Sequence, residues 1–312
     1  MTTPIVTSKL RFAVLGHPIA QSISPAMHKA VFRALGLPHT YEAVDIDDLE
    51  HLQQVVDAVR QGNYAGANIT VPYKRAVLDL VERVDPSALH VGAANTLVRS
   101  RGRVVAYNTD APGLADDLRS LDAVGRTAAV IGSGGGARAA VAACMALGAN
   151  IVAVTSRSWG GSETLVGSEN AESFRTMGAL PCGWPIPQAQ SGSSKLSEAM
   201  RLQWADIAKN ADIIVQATSA GMKGGDRGET VAAIVPWDQL RKETLAYDLV
   251  YNPSETPFLK AARERGLRYS GGLGMLARQG AHALGLWLRI LPDIQLMRAA
   301  AERALTPKAP PR

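Results

Sequence analysis

Ala128-Ala129-Val130-Ile131, followed at once by Gly132-Ser133-Gly134-Gly135-Gly136, an alanine-rich run from Ala137 to Leu147, Gly148, and the apolar segment Ile151 to Val154, is the stretch that decides the fold. A short apolar strand that breaks into glycines, resumes as a helix and reaches a second strand is a complete βαβ unit. Glycines at that turn let the backbone approach a pyrophosphate, and the exposed N–H groups and positive dipole end of the helix receive its charge. The run Gly132 to Gly136 departs from the spaced GxGxxG pattern, so by itself it is also compatible with a plain tight turn. After the second strand comes Thr155-Ser156-Arg157-Ser158, with no acid where an NAD enzyme places Asp or Glu for the ribose diol. An arginine flanked by hydroxyls suits a 2′-phosphate, hence NADP. A lone loop arginine is ordinarily a solvated residue, so Arg157 carries weight only in combination with the glycines upstream.

Outward from this unit, Ile213 to Ala217 and Leu245 to Leu249 read as further strands, whereas Ser158 to about Leu202 is rich in Gly, Ser and Pro and reads as a long irregular insertion. Upstream, Leu10 to Leu15 is a strand ended by Gly16-His17-Pro18. Ser24-Pro25 starts a helix that Gly36 ends, with Met27, Val31 and Leu35 on its apolar face. Strands at Tyr41 to Ile46 and Ala67 to Val71 enclose a helix from about Leu49 to Arg60, and a helix is expected at Tyr73 to Arg83. This alternation of strand and helix implies a largely parallel sheet. Asn95 to Val98 and Val104 to Tyr107, joined through Ser100-Arg101-Gly102, form a hairpin, and a helix follows at Ala111 to Ser120. From Leu273 the chain turns helical again, and a last helix runs to about Leu305.

Length and composition fit a globular chain of about two domains with a sizeable apolar core. The chain has 312 residues, 46% hydrophobic and 20% charged, with a formal net charge of +5 and no basic run that would follow a nucleic-acid backbone. Two cysteines, Cys144 and Cys182, make neither a disulfide framework nor a four-ligand zinc site, and a reducing compartment fits them. No apolar window reaches the length of a membrane span, and the first nine residues lack a leader pattern, so a cytoplasmic protein is expected.

Three segments of the first half carry more polar side chains than a scaffold requires. Ser22-Ile23-Ser24-Pro25 brings two hydroxyls to a helix start, where capping explains one of them but not both. Asn68 to Lys74 places alternate polar side chains at a strand end and then a lysine at the expected helix start, where the helix dipole favours an acid. Asn108-Thr109-Asp110 precedes a helix, and for Asp110 alone a cap is as good an account as a catalytic role.

With these segments, Gly92-Ala93-Ala94-Asn95-Thr96, Ala217-Thr218-Ser219-Ala220-Gly221-Met222, Asp248-Leu249-Val250-Tyr251 and Gly272-Leu273-Gly274-Met275-Leu276 appear in order, and the chain from about Leu10 to Trp287 resembles the shikimate dehydrogenase family. The resemblance implies two α/β domains around a cleft, the second of Rossmann type. A substrate-binding catalytic domain would span residues 1–109 and 271–312, and an NADP-binding domain 110–270, with the irregular insertion at about 158–205. It implies Lys74 and Asp110 as the catalytic pair, and Ser22 and Ser24 as holders of the substrate carboxylate. Thr70, Asn95, Tyr251 and Gln279 would bind substrate hydroxyls or line the pocket. The dinucleotide would rest on Gly132, Ser133, Gly134, Gly135 and Gly136, with Ser156, Arg157, Ser158, Thr218, Leu249 and Gly272.

The chemistry suits those residue types. Hydride reduction of a ketone builds negative charge on oxygen, and an ammonium group both stabilises that charge and supplies the proton, so no metal is needed. Three departures from the family pattern stand out: Ser156-Arg157-Ser158 replaces Asn-Arg-Thr, Trp159-Gly160-Gly161-Ser162 offers no second basic residue, and Gln216 replaces the usual Asn. The implied reaction is NADPH-dependent, reversible reduction of 3-dehydroshikimate to shikimate, on the route to chorismate and the aromatic amino acids. The same fold and pair would serve quinate or aminoshikimate dehydrogenase, although Ser24, where quinate users tend to have Thr, argues against the former. A non-catalytic shikimate-binding regulator is the alternative from another class, disfavoured by the retained lysine, aspartate and glycine turn. The expected partner is the small-molecule substrate, with neither nucleic acid nor membrane, and a homodimer stays open because the sequence does not fix the oligomeric state.

Overall fold

The computed structural model describes residues 8–123, 125–160, 165–185 and 195–306. The chain divides into two compact units, Met1–Gly113 with Leu276–Arg312, and Leu114–Met275.

The first unit holds a six-stranded sheet of β1 (Arg11–Gly16), β2 (Thr40–Asp45), β3 (Gly66–Ile69), β4 (Arg83–Val84), β5 (Thr96–Ser100) and β6 (Arg103–Tyr107), in the order β2-β1-β3-β5-β6-β4. β1 lies parallel to both β2 and β3, while β5 runs antiparallel to β3 and β6. The β5–β6 hairpin turns through Arg101 and Gly102, both at positive φ (51° and 75°), as a tight hairpin turn requires. Ala13 and Leu15 of β1 pack on one face of the sheet with Leu52, Val56 and Val59 of the helix Leu49–Gln61. On the other face Phe12 stacks on Trp287 at 4.8 Å, and the Trp287 indole N–H donates to the Leu97 carbonyl at 2.9 Å. That tryptophan sits near the end of the helix Leu273–Leu288, and the last helix is Ile294–Leu305.

Expected and observed elements differ at residues 73–83. In place of an α-helix the chain makes turns and a 3-10 helix at Ala76–Leu80, because Arg83 and Val84 extend to pair with Val105 and Ala106 of β6. Lys74 therefore stands in a turn, and its position opposite a helix dipole does not arise.

The second unit is a six-stranded, all-parallel sheet: β7 (Thr127–Ile131), β8 (Ile151–Thr155), β9 (Leu180–Cys182), β10 (Ile213–Gln216), β11 (Leu245–Asp248) and β12 (Arg268–Gly271), ordered β9-β8-β7-β10-β11-β12. This is the doubly wound order of dinucleotide-binding sheets, reversing between β7 and β10. Its central strands β7, β8 and β10 are buried on both faces: Ala128, Val130, Val152, Val154 and Val215 enter one core, and Ala129, Ile131, Ala153 and Ile214 the other.

The stretch 158–205, expected to be irregular, is part of this architecture. It carries the helix Glu169–Thr176, strand β9 and the start of the helix Lys195–Lys209. Ser168 caps the first of these helices, accepting from Ala171 N at 3.2 Å, and only Ala171 and Phe174 of that helix are buried. So few apolar positions give no visible period, and β9 itself contains a proline. Residues 161–164 and 186–194 of the expected insertion lie outside the described residues.

Candidate active site

Lys74 Nζ donates to Asp110 Oδ2 at 2.6 Å, and both side chains are largely shielded, with 18% and 6% exposure. The other carboxylate oxygen, Oδ1, accepts from Asn95 Nδ2 at 2.9 Å. Each partner is delivered by a different part of the sheet. The turn after β3 carries Lys74, whose carbonyl is held by Ala94 N at 2.7 Å; Asn95 immediately precedes β5, and Asp110 opens the helix Asp110–Ser120 after β6. Asp110 does not cap that helix. Asn108 takes the task, its Oδ1 accepting from Ala111 N at 3.0 Å, which leaves both Asp110 oxygens for Lys74 and Asn95.

Asn95 is the hub of this network. Its Nδ2 also lies 2.9 Å from Thr109 Oγ1 and 3.2 Å from Gln279 Oε1, and its Oδ1 accepts from Thr109 N at 2.7 Å. Behind it runs a buried polar chain that the sequence did not single out: Tyr41 Oη donates to Asn68 Oδ1 at 2.7 Å, and Asn68 Nδ2 donates to Thr96 Oγ1 at 3.0 Å. Every member of that chain is buried, so the asparagine is oriented by partners that water does not compete for. Gln279 is fixed in turn by its Nε2, which donates to Leu276 O at 2.9 Å.

Ser22, Ser24 and Thr70 lie beyond the C-terminal ends of β1 and β3, where open α/β sheets bind ligands. Thr70 packs against Gly16, whose missing Cβ would stand 2.4 Å from Thr70 Cγ2. Neither serine is used as a helix cap: the helix Ser24–Ala34 starts with no side-chain capping bond, and Ser22 Oγ only approaches Ser24 N at 3.4 Å. No hydrogen bond among the described residues ties these three to Lys74 or Asp110. His28, which the sequence reading passed over, lies beneath Ser24 with Nδ1 2.8 Å from its carbonyl oxygen, and burial pushes the imidazole down to about 4.

In the second unit the glycine turn stands as expected between β7 and the helix Gly135–Ala146. Gly132 has φ +125°, a conformation that favours glycine. Gly134 is the N-cap and offers no side chain to the helix's first N–H groups, a Cβ there would meet nothing within 4 Å, and no acid occupies the first turn. An open, uncapped, glycine-lined helix N-terminus fits a dinucleotide pyrophosphate in space and charge. Loops after β10 and β11 flank it: a Cβ on Gly132 would stand 3.1 Å from Thr218 Cγ2, and one on Gly136 3.1 Å from Leu249 Cδ1. Gly272 backs Leu249, its Cβ position falling 2.2 Å from the Leu249 carbonyl oxygen, so only glycine fits there.

At the end of β8 the hydroxyls of Ser133, Ser156 and Ser158 form a chain with contacts of 2.9 and 3.0 Å. Arg157 beside them donates to Asp226 Oδ2 at 2.5 Å, with both side chains more than half exposed. Tyr251 is half-buried, and that burial pushes its phenol up. Cys144 and Cys182 are free and buried, each thiol pushed up to about 12 by desolvation. Among the described residues no helix is long and apolar enough to cross a membrane.

Comparison with known proteins matches these features. A family model for the shikimate dehydrogenase substrate binding domain matches residues 14–97. An NADP(+) shikimate dehydrogenase of Thermus thermophilus is 36% identical over 300 residues, covering 95% of this chain and 99% of that protein. The corresponding protein of Halothermothrix orenii is 33% identical, covering 90% and 91%. Among solved structures, shikimate 5-dehydrogenase of Thermus thermophilus in complex with NADP(H) and shikimate superimposes with a TM-score of 0.76 at 35% identity, over 95% of this chain and all of the other.

Proposed function

Because the chain belongs to the shikimate dehydrogenase family, we propose that it is an NADP-dependent oxidoreductase that reversibly reduces 3-dehydroshikimate to shikimate, a step toward chorismate and the aromatic amino acids. The observation that carries this is the Lys74–Asp110 pair, shielded from solvent and braced by Asn95.

Bound NADPH supplies the hydride, and its pyrophosphate would be held by Gly132 to Gly136 at the uncapped helix start, with Ser133, Ser156, Arg157 and Ser158 toward the 2′-phosphate. Thr218, Leu249 and Gly272 flank that turn. Lys74 Nζ carries the proton chemistry: it hydrogen-bonds the substrate carbonyl oxygen and stabilises the charge that grows there. It then gives that oxygen its proton, and in the reverse direction takes one from the hydroxyl. Asp110 keeps the ammonium aimed, since one of its oxygens is occupied by Asn95 and only the other is offered to Lys74. Ser22 and Ser24, free of capping duty, donate to the substrate carboxylate, while Thr70, Asn95, Tyr251 and Gln279 bind its hydroxyls or line the pocket. The compact units Met1–Gly113 with Leu276–Arg312 and Leu114–Met275 are thereby the substrate and cofactor domains, for which the sequence reading set bounds of 1–109 with 271–312 and 110–270. We read the enzyme as cytoplasmic, consistent with two buried free thiols.

Steady-state rates with shikimate and quinate, each with NADP and NAD, test the assignment. Shikimate with NADP is expected to give the highest kcat/KM. A preference for quinate would move the chain to the sister activity, and no turnover with any pair would leave a ligand-binding regulator.

A further inference from the structure

Gln216 and Asp248 end the adjacent parallel strands β10 and β11 in direct register, and neither has any exposed surface. Two fully buried polar side chains at one end of a sheet are expensive unless each is satisfied. Both are satisfied by the loop that follows their own strand. Gln216 Oε1 accepts from Thr218 N, and its Nε2 donates to Ala220 O at 3.0 Å and approaches Thr218 O at 3.3 Å. The Thr218 hydroxyl extends this brace by accepting from Ala220 N at 3.1 Å. Asp248 Oδ1 accepts from Val250 N at 2.9 Å, and its Oδ2 accepts from the Thr256 hydroxyl at 2.6 Å. Thr256 in turn caps the helix Pro257–Glu264, accepting from Leu259 N at 3.3 Å. The two loops are also tied at their roots, since Leu249 N donates to Gln216 O at 2.9 Å.

Each brace ends beside a residue that flanks the glycine turn. Thr218 stands over Gly132 and Leu249 over Gly136, each 3.1 Å from where a Cβ would lie, closer than ordinary van der Waals contact. We propose that Gln216 and Asp248 are positioning residues for dinucleotide binding, which clamp the loops 217–221 and 249–256 so that Thr218 and Leu249 keep their places beside the turn. They touch no substrate or cofactor themselves. Burial raises the Asp248 carboxyl to about 7 against the pull of its two donors, a sign of how dry this strand end is. In such surroundings each hydrogen bond is stronger and its loss costs more. Gln216 thus has a task of its own at a position where the family usually carries Asn: it reaches past Thr218 to hold Ala220.

This inference rests on the NADP-dependent assignment, and the test separates the two. Gln216→Ala, Asp248→Ala, Asp248→Asn and Thr256→Val are compared with wild type by NADPH fluorescence titration, thermal melting without ligand, and steady-state kinetics. Wild type that neither binds NADPH nor turns over shikimate would remove the underlying assignment. Given an active wild type, Gln216→Ala and Asp248→Ala are expected to weaken NADPH binding about tenfold and raise KM for NADP alike, with kcat within about threefold. Asp248→Asn is expected to restore most of the affinity, because an amide oxygen still accepts from Val250 N and the amide N–H can donate to the Thr256 hydroxyl. Thr256→Val cuts one arm only and is expected to fall between; it and Gln216→Ala keep the test alive should Asp248→Ala fail to fold. Variants that melt lower but bind NADPH as wild type does would overturn the proposal, as would a loss confined to kcat.

Discussion

Replacing Arg157 by alanine is expected to narrow the preference for NADP over NAD without abolishing hydride transfer. Facing a 2′-phosphate, the guanidinium would make charge-assisted hydrogen bonds worth roughly 1.5–3 kcal/mol. In the structure it is engaged by Asp226 at 2.5 Å, across a pair whose side chains are 56% and 57% exposed. An exposed pair of that kind is worth about 1 kcal/mol at most, and the contact must be given up or shared when a phosphate arrives. The net gain is then about 0.5–2 kcal/mol, or roughly two- to thirtyfold in the ratio of kcat/KM for NADP over NAD. Arg157→Ala should lose that factor through a higher KM for NADP, with NAD kinetics nearly unchanged. Asp226→Asn removes both the competitor and a like charge beside the phosphate, and should shift the ratio a few-fold toward NADP. Measuring KM and kcat with both cofactors for the three proteins decides it. An unchanged ratio in Arg157→Ala would refute the reasoning and leave Arg157 an ordinary surface residue.

Asn95→Ala should lower kcat about 10- to 100-fold, because Asp110 loses the donor that fixes its second oxygen and general acid–base catalysis at stake here is worth about 10²–10⁴ in all; stopped-flow reduction with NADPH measures it. His28 is neutral when buried, its value down at about 4 against about 6.5 unfolded, so its contribution to stability is full above pH of about 6.5 and is lost as pH falls toward 4. Urea midpoints across that range should fall on acidification, and less steeply in His28→Gln. Gly66→Ala would place a methyl 2.2 Å from the Trp287 indole nitrogen, and should cost about 1–3 kcal/mol or more in the urea stability of the first unit.

Much of the fold was legible because the second unit obeys local rules. A four-residue apolar strand, a glycine run and an alanine helix are contiguous, and the strands nearest them, β7, β8 and β10, are short and largely apolar. What escaped was decided at a distance. Residues 73–83 look helical in isolation, yet Arg83 and Val84 are drawn out by β6. The stretch 158–205 hides the helix Glu169–Thr176 because only Ala171 and Phe174 of it are buried, and hides β9 because it is three residues long with a proline at its centre. The site divides the same way. Lys74, Asn95, Asp110 and Gln279 are brought together in one hydrogen-bonded network, and Asn108, not Asp110, caps the helix. The support from Tyr41 through Asn68 to Thr96 joins three separate strands, and no spacing in the sequence records it. Gln216 showed in the sequence only as a replacement for Asn, and its task stayed hidden because its partners are backbone groups of Thr218 and Ala220.

The most direct test of the central claim is Lys74→Ala, assayed for shikimate oxidation with NADP and titrated separately with NADPH. Loss of the ammonium that stabilises and protonates the reacting oxygen should cut kcat by about 10²–10⁴-fold, equivalent to roughly 3–5 kcal/mol of barrier. NADPH affinity should stay within about twofold of wild type, because the glycine turn and its flanking loops belong to the other compact unit and a contact made only in the transition state leaves ground-state binding alone. Wild-type turnover in this variant would contradict the account and move the proton chemistry to another residue.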